Sequence, residues 1–103
     1  MATPPQLTPE QRAEALQKAA RARTNRAEIK ARLKMGSLSL AEVLGSDDED
    51  AKRLKVSAVL ESLPGVGKQK ARGVMEDVGI AENRRVQGLG AQQRAALLEQ
   101  FGS

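Results

Sequence analysis

Apolar residues recur along this chain at the three- and four-residue spacing that places side chains on one face of an α-helix. No run alternates β-branched or aromatic residues with polar ones, as a half-buried strand would. The pattern therefore predicts an all-α protein with about five helices. Three sets of positions are expected to meet in a common core: Val56, Val59, Leu60 and Leu63; Ala71, Val74, Met75 and Val78; and Leu97, Leu98 and Phe101.

The first predicted helix is long. Thr8-Pro9-Glu10-Gln11 supplies a capping threonine, a proline at the first helical position and a glutamine three residues after the cap. Good helix formers follow without interruption up to Lys34, and Gly36 is a typical stop. One helix is therefore expected over residues 9–35, preceded by a flexible tail over residues 1–8.

The remaining residues, 38–103, are expected to form one compact helical body. Ser39-Leu40-Ala41-Glu42 is a capping box for a short helix that ends at Gly45. Ser46-Asp47-Asp48-Glu49 is interpreted in the same way, and a third helix is predicted from Asp48 to Ser62. Two further helices are predicted, over Lys68–Val78 and Ala91–Phe101, with a connector between them over residues 80–86.

Basic residues dominate the first predicted helix, with eight Lys or Arg against two Glu between Arg12 and Lys34. Its apolar stripe is thin, and only Ile29 and Leu33 offer large side chains to a core. The first half is therefore expected to project or to dock lightly. Four basic residues share a second face: Arg12, Arg23, Lys30 and Lys34. This face is either an ordinary solvated surface or a rail that contacts phosphates.

The stretch Leu63-Pro64-Gly65-Val66-Gly67-Lys68-Gln69-Lys70-Ala71 joins two predicted helices by a tight turn. Gly65 and Gly67 permit positive φ and leave backbone amides without side-chain cover. Those amides lie at the positive end of the next helix, where the macrodipole favours an anion, and Lys68 and Lys70 add positive charge. The turn is therefore interpreted as a phosphate-binding hairpin. The alternative is a turn whose glycines serve packing alone, and the spacing of a nucleotide phosphate loop is absent.

Gly88-Leu89-Gly90 repeats the glycine-apolar-glycine order ahead of the last predicted helix. Arg84 and Arg85 precede this turn, as Lys68 and Lys70 follow the first, which makes a weak internal duplication. An arginine pair there either caps the carbonyls of a helix end or, beside bare glycine amides, binds phosphate. The second turn is accordingly predicted to be a second phosphate clamp.

Composition narrows the class of partner. The 103 residues include no Cys, His, Trp or Tyr and one Phe, which removes the usual metal ligands, thiol nucleophiles and near-neutral proton shuttle. A net charge of +4 and a pI of 9.9 favour a polyanion. Readers of single strands usually stack bases on aromatic side chains, so duplex DNA fits this composition best. No apolar run suits a signal peptide or a membrane span, which predicts a cytoplasmic protein.

Two segments carry a specific resemblance, Val56-Ser57-Ala58-Val59-Leu60-Glu61-Ser62-Leu63-Pro64-Gly65-Val66-Gly67-Lys68 and Arg84-Arg85-Val86-Gln87-Gly88-Leu89-Gly90. With the Thr8-Pro9-Glu10 start and Ala27-Glu28-Ile29-Lys30, the likeness extends over nearly the full chain. The chain resembles the actinobacterial integration host factors, a family of small nucleoid-associated proteins. The resemblance implies a helix-two-turn-helix DNA-binding body, of the helix-hairpin-helix type, behind a long N-terminal helix. Gln87 departs from the family pattern where an arginine is expected, which implies a weaker or altered contact.

The resemblance also implies function. Members of the family bind duplex DNA with little sequence preference, alter its bending or topology, and assist chromosome organisation and phage site-specific integration. We therefore expect a monomer in the nucleoid, with duplex DNA and the phage integration or recombination machinery as partners, and no catalytic, cofactor or metal site. The predicted DNA-binding residues are Gly65, Val66, Gly67, Lys68, Lys70, Arg84, Arg85, Gly88 and Gly90. A second group is expected to contribute less: Lys55, Arg72, Gln87, Arg94, Arg23, Lys30 and Lys34.

Two other classes of protein stay open on the sequence alone. A ribosomal or structured-RNA binder is the nearer one, because helix-two-turn-helix bodies also serve in a ribosomal protein and phosphate clamps distinguish sugars poorly. An enzyme is the remoter one, since related bodies occur in DNA glycosylases and nucleases. Those enzymes carry their chemistry in an added domain or at a processed N-terminal proline, whereas Pro4 and Pro5 here follow Met1-Ala2-Thr3.

Overall fold

The computed structural model describes residues 8–101, and every regular element within that range is helical. The all-α prediction is confirmed. The predicted tail, apart from Thr8, lies outside the described residues, and none of the described helices is both long and apolar enough to span a membrane. Residues 8–101 contain six α-helices in chain order, with one 3-10 turn over Val86–Gly88: α1 (Pro9–Met35), α2 (Leu40–Leu44), α3 (Glu49–Lys52), α4 (Val56–Glu61), α5 (Lys68–Val78) and α6 (Ala91–Phe101).

Helix α1 is the long basic helix that the sequence predicts. Thr8 Oγ1 accepts a hydrogen bond from the Gln11 amide at 3.1 Å, and Gln11 Oε1 accepts one from the Thr8 amide at 3.0 Å, which completes a capping box. At the other end Gly36 has a φ of 79°, the left-handed conformation of a glycine stop. Every side chain from residue 9 to residue 21 is exposed, whereas Leu33 is fully buried. The first half of α1 therefore projects from the body.

The predicted third helix over residues 48–62 is wrong in one respect, because it consists of two helices, α3 and α4, with a break at residues 53–55. At this break Lys55 is extended, with φ −70° and ψ 141°, and forms an isolated antiparallel bridge with Arg85. The backbone hydrogen bonds of this bridge replace those that a continuous helix would make, and the Leu54 side chain is buried. Two backbone hydrogen bonds of 2.9 Å close it, from the Val56 amide to the Arg84 carbonyl and from the Val86 amide to the Leu54 carbonyl.

The start of α3 also differs from the prediction. Asp48, not Ser46, caps the helix, because Asp48 Oδ1 accepts a hydrogen bond from the Asp50 amide at 3.0 Å. Ser46 Oγ instead accepts one from the Asp48 amide at 3.1 Å. The capping box between Ser39 and Glu42 at the start of α2 is confirmed.

The apolar core lies where the C-terminal half of α1 meets the shorter helices. Helix α4 packs on α5 across the glycine hairpin, α6 packs on α5 and α2, and α1 rests on α3 and α4. Four residues predicted to face inward lie at the edge of this core and are only half-buried: Leu63, Val78, Leu98 and Phe101. The largest fully buried side chains are Leu33, Val43, Val56, Val59, Leu60, Val86 and Leu97. This packing fixes the hairpin and the segment around Arg85 on one body.

Candidate nucleic-acid interface

The glycine hairpin between α4 and α5 uses its two glycines differently. Gly65 has a φ of 74°, in the left-handed region that favours glycine. Gly67 has φ −91° and ψ 177°, an extended conformation that any residue adopts, so it does not use the positive φ that glycine permits. It is the N-cap of α5 and has no side-chain cap, and a Cβ on it would meet no heavy atom within 4 Å apart from its chain neighbours. Gly67 therefore leaves the backbone at the start of α5 exposed.

A row of backbone amides at this hairpin donates to no other group in the described part of the chain: Gly65, Gly67, Lys68, Gln69 and Lys70. These residues are all exposed. Val66 between them is different, because its amide donates to the Leu63 carbonyl at 3.2 Å and its half-buried side chain packs against the core. The free amides lie at the positive end of the α5 macrodipole. The hairpin thus offers preset donors to an anion, with Lys68 and Lys70 beside them.

The second glycine turn differs, because the amides of Gly88, Leu89 and Gly90 are all occupied. The Gly88 amide donates to the Arg85 carbonyl at 2.9 Å, and the Leu89 amide donates to the Val86 carbonyl at 3.2 Å. The Gly90 amide donates to Gln93 Oε1 at 3.0 Å. The expectation of bare amides at this turn is therefore wrong, because helix α6 supplies a side chain that occupies one of them and a 3-10 turn occupies the others. Duplex contact at Gly88 and Gly90 stays a prediction.

Arg84 and Arg85 are both exposed and both make one internal hydrogen bond. Arg84 Nη1 donates to the Gly88 carbonyl at 3.2 Å. Arg85 Nη1 donates to the carbonyl of Arg53, the C-cap of α3. One N–H donor of each arginine side chain therefore caps a backbone carbonyl, as the capping interpretation of this pair predicts. A guanidinium carries five donors, so both side chains retain N–H groups for phosphate.

Arg85 belongs to a groove that three parts of the chain build together. Its cationic residues are Arg23, Arg26 and Lys30 from α1, Arg53 and Lys55 from the break between α3 and α4, and Arg85. Ala27, Leu54 and Ala58 complete the lining, so none of these described lining residues is acidic. We call this surface the basic groove. Sequence reasoning missed Arg26 and Arg53, because only the break at residues 53–55 and the docking of α1 bring them together.

Lys55 connects the basic groove to the glycine hairpin. It also lines a neighbouring depression that contains Lys68 and Arg72. This depression is mixed in charge, since Glu61, Glu76 and Glu82 line it as well. The Nε atom of Arg72 lies 3.9 Å from Oε1 of Glu82, and both side chains are exposed, so this ion pair contributes little to stability.

The structure places the other predicted contact residues away from the basic groove. Lys70 lines an apolar depression with Leu63 and Phe101, although its amide belongs to the hairpin. Gln87 and Arg94 line a third depression, whose acidic members are Asp47 and Glu49. Arg94 is half-buried, and its Nε has no hydrogen-bond partner among the described residues. Lys34 is exposed on the last turn of α1 and does not line the basic groove.

The chain matches the S13-like H2TH domain family over residues 33–101. It is similar to three proteins named integration host factor. The one from Streptomyces coelicolor is 58% identical over 105 residues, covering 100% of this chain and 97% of that protein. The one from Mycobacterium tuberculosis is 57% identical and covers 96% of each chain, and the one from Mycolicibacterium smegmatis is 57% identical and covers 94% of each.

A solved structure is similar in fold as well as in sequence. It is a structure of sIHF bound to an 8-bp palindromic DNA, and it superposes with a TM-score of 0.80 at 53% sequence identity. The match covers 84% of this chain and 99% of that one.

Proposed function

We propose that this chain, which belongs to the integration host factor family and contains an S13-like H2TH domain, is a non-catalytic, architectural DNA-binding protein. It binds duplex DNA through the phosphate groups of the DNA backbone. The sIHF structure, in which a protein 53% identical to this one is bound to DNA, supports this proposal. The described part of the chain offers no group of three or more His, Cys, Asp or Glu that could hold a metal ion.

The proposal rests on the position of Lys55, which lines both the basic groove and the neighbouring depression that contains Lys68. On one side of Lys55 lies the basic groove, with its six cations and no acidic lining residue. On the other side lie Lys68 and the free amides of the hairpin. A sugar-phosphate backbone is the extended polyanion that such a surface fits, since it presents charge at regular intervals along a line.

Recognition is proposed to depend on the backbone and shape of DNA. The hairpin presents amides and flexible lysines, which bind phosphates and read no base edge. After the second glycine turn, the Gln93 side chain is occupied within the chain, since its Oε1 accepts from the Gly90 amide and its Nε2 donates to the Gly79 carbonyl, and Arg94 is half-buried. Affinity therefore arises mainly from counterion release and depends little on sequence.

We further propose that the protein bends or reshapes the duplex, acts as a monomer in the nucleoid, and contributes to chromosome organisation and phage integration. The support for bending is that the hairpin and the basic groove occupy different parts of the surface and meet at Lys55. A duplex that follows both gains contacts by deforming, which is how architectural proteins recover the cost of a bend.

Titration of a fluorescent duplex at several salt concentrations tests this function. If about five phosphates are neutralised, log K falls against log salt with a slope of about −4.5. Duplexes of unrelated sequence are expected to bind with closely similar affinity, because no base edge is read. Binding that ignores salt, or that requires one sequence, contradicts the proposal.

Structured RNA is the second candidate ligand, because free amides and cations bind the phosphates of either nucleic acid. Competition between unlabelled duplex DNA and a structured RNA of equal length decides between them. We expect duplex DNA to displace the fluorescent duplex at the lower concentration. The same duplex carrying an abasic site is expected to remain uncleaved by the protein.

A further inference from the structure

Asn25 joins α1 to α3 near the point where the exposed half of α1 meets the body. Its Nδ2 donates to Oδ2 of Asp48 at 2.9 Å and to Oδ2 of Asp50 at 2.8 Å. These partners are 23 and 25 positions away in sequence. One amide therefore bridges two carboxylates across two helices, an arrangement that uses both of its N–H donors. We call these three residues the α1–α3 clasp.

The clasp is linked to the basic groove through α3. While Oδ2 of Asp48 holds Asn25, its Oδ1 caps the amide of Asp50 and so fixes the first turn of α3. Helix α3 is only four residues long and leads directly to Arg53, whose carbonyl accepts the hydrogen bond from Arg85. Hydrogen bonds at both ends of α3 therefore link α1 to Arg53 and Arg85.

The cations that line the basic groove repel one another, so an interaction that holds α1 against α3 stabilises the groove. On α1, Arg23 and Arg26 lie on either side of Asn25 in sequence and line the basic groove together with Arg53, Lys55 and Arg85. Like charges gathered on one surface tend to separate in the absence of a counterion. Asn25 opposes this separation without adding another cation. Asp48 and Asp50 would also repel each other, and the shared amide offsets that repulsion.

We propose that Asn25 is a positioning residue for duplex binding, holding the cations of α1 in register with those beside α3 before DNA arrives. This inference rests on the proposed function. Preorganisation of this kind raises affinity because the cost of gathering like charges is met during folding and not during binding.

Asn25→Asp tests the clasp, since it replaces the donor with a third carboxylate at nearly constant size. We expect duplex affinity to fall about tenfold, and the salt slope to become shallower by about 1.8, because two phosphate contacts from α1 are lost at about 0.9 each. The circular dichroism of the helices is expected to remain, since Ile29 and Leu33 still bury the end of α1. Asn25→Ala is expected to show a smaller loss in the same direction.

Two matched variants separate positioning from net charge. Gln92→Glu makes the same change of charge at an exposed site on α6, beside Asp77 and Glu99, and is expected to leave the salt slope unchanged. Asn25→Asp combined with Asp50→Asn restores the original net charge and one amide–carboxylate pair, between residues 25 and 50, and is expected to recover part of the affinity. Asp48 is left intact because it also caps α3.

Three results would overturn the inference while leaving duplex binding established. They are an unchanged salt slope in Asn25→Asp, an equal loss of affinity in Gln92→Glu, and a double variant as weak as Asn25→Asp alone. If the unaltered chain itself shows no salt-dependent duplex binding, the proposed function fails and this inference fails with it.

Discussion

At the scale of single residues, glycine serves a different purpose at each place where it touches the candidate interface. Gly65 allows the left-handed turn, with a φ of 74°. Gly67 keeps the start of α5 uncovered. Gly88 makes room for a side chain, because a Cβ there would lie 3.0 Å from Cδ of Arg84. Replacement by alanine is therefore expected to give a different result at each position.

Gly67→Ala is expected to weaken duplex binding about fivefold, because a methyl group would crowd an amide that donates to a charged phosphate, a bond that contributes about 1 kcal/mol or more. The cost in stability is expected to stay at about 1 kcal/mol or below, since the backbone is extended and only the cap preference is lost. Fluorescence anisotropy of a labelled duplex and thermal unfolding by circular dichroism measure the two effects.

Two other glycines provide the controls. Gly65→Ala places an L-residue in the left-handed region and is expected to lower the free energy of unfolding by about 1–2 kcal/mol. Gly73→Ala lies inside α5 with open space for a Cβ, and is expected to raise it by about 0.5–1 kcal/mol. Equal duplex affinity in Gly67→Ala and Gly73→Ala would contradict a role for the hairpin amides.

At the scale of elements, α1 and the break between α3 and α4 make the basic groove together. Helical spacing and capping signals predict α1 and its basic face from sequence, because those signals are local. The break at residues 53–55 has no local signal. It exists because Lys55 pairs with Arg85 and because Leu54 is buried, and both depend on a segment about 30 residues away. Arg26 and Arg53 could therefore not be assigned to the site from sequence.

A pair of lysines on α1 tests which face of that helix the duplex contacts. Lys30 lines the basic groove, whereas Lys34, one turn further on, does not. Lys30→Glu is expected to weaken binding several-fold and to reduce the salt slope by about 0.9, the loss of one phosphate contact. Lys34→Glu is expected to change the slope little, although it lies nearer the helix C-terminus, where a carboxylate costs about 0.3–1 kcal/mol in stability. Equal effects of the two variants would assign DNA binding to overall charge.

At the scale of the whole molecule, the distribution of charge matters more than its sum. The net charge of +4 is modest, yet six cations line one groove without an acid, while Asp77 and Glu99 line a separate depression on α5 and α6. Sequence predicts the all-α class and the family, because helical periodicity and the glycine motif lie in continuous segments. It does not predict that the glycine amides themselves stay free at the first turn and are occupied at the second, where the Gly90 amide donates to Gln93 of α6.

The free amides of the hairpin and the cations of the basic groove are proposed to bind the same duplex. Titration of the 15N-labelled chain with a short duplex tests this, with binding followed by the amide chemical shifts, which are readily measured for a chain of 11.0 kDa. We expect the largest shifts at Gly65, Gly67 and Lys68, with further shifts around Lys55 and Arg85, and smaller ones at the internally bonded amides of the second turn. Unmoved hairpin amides, with the shifts concentrated on α6, would contradict it.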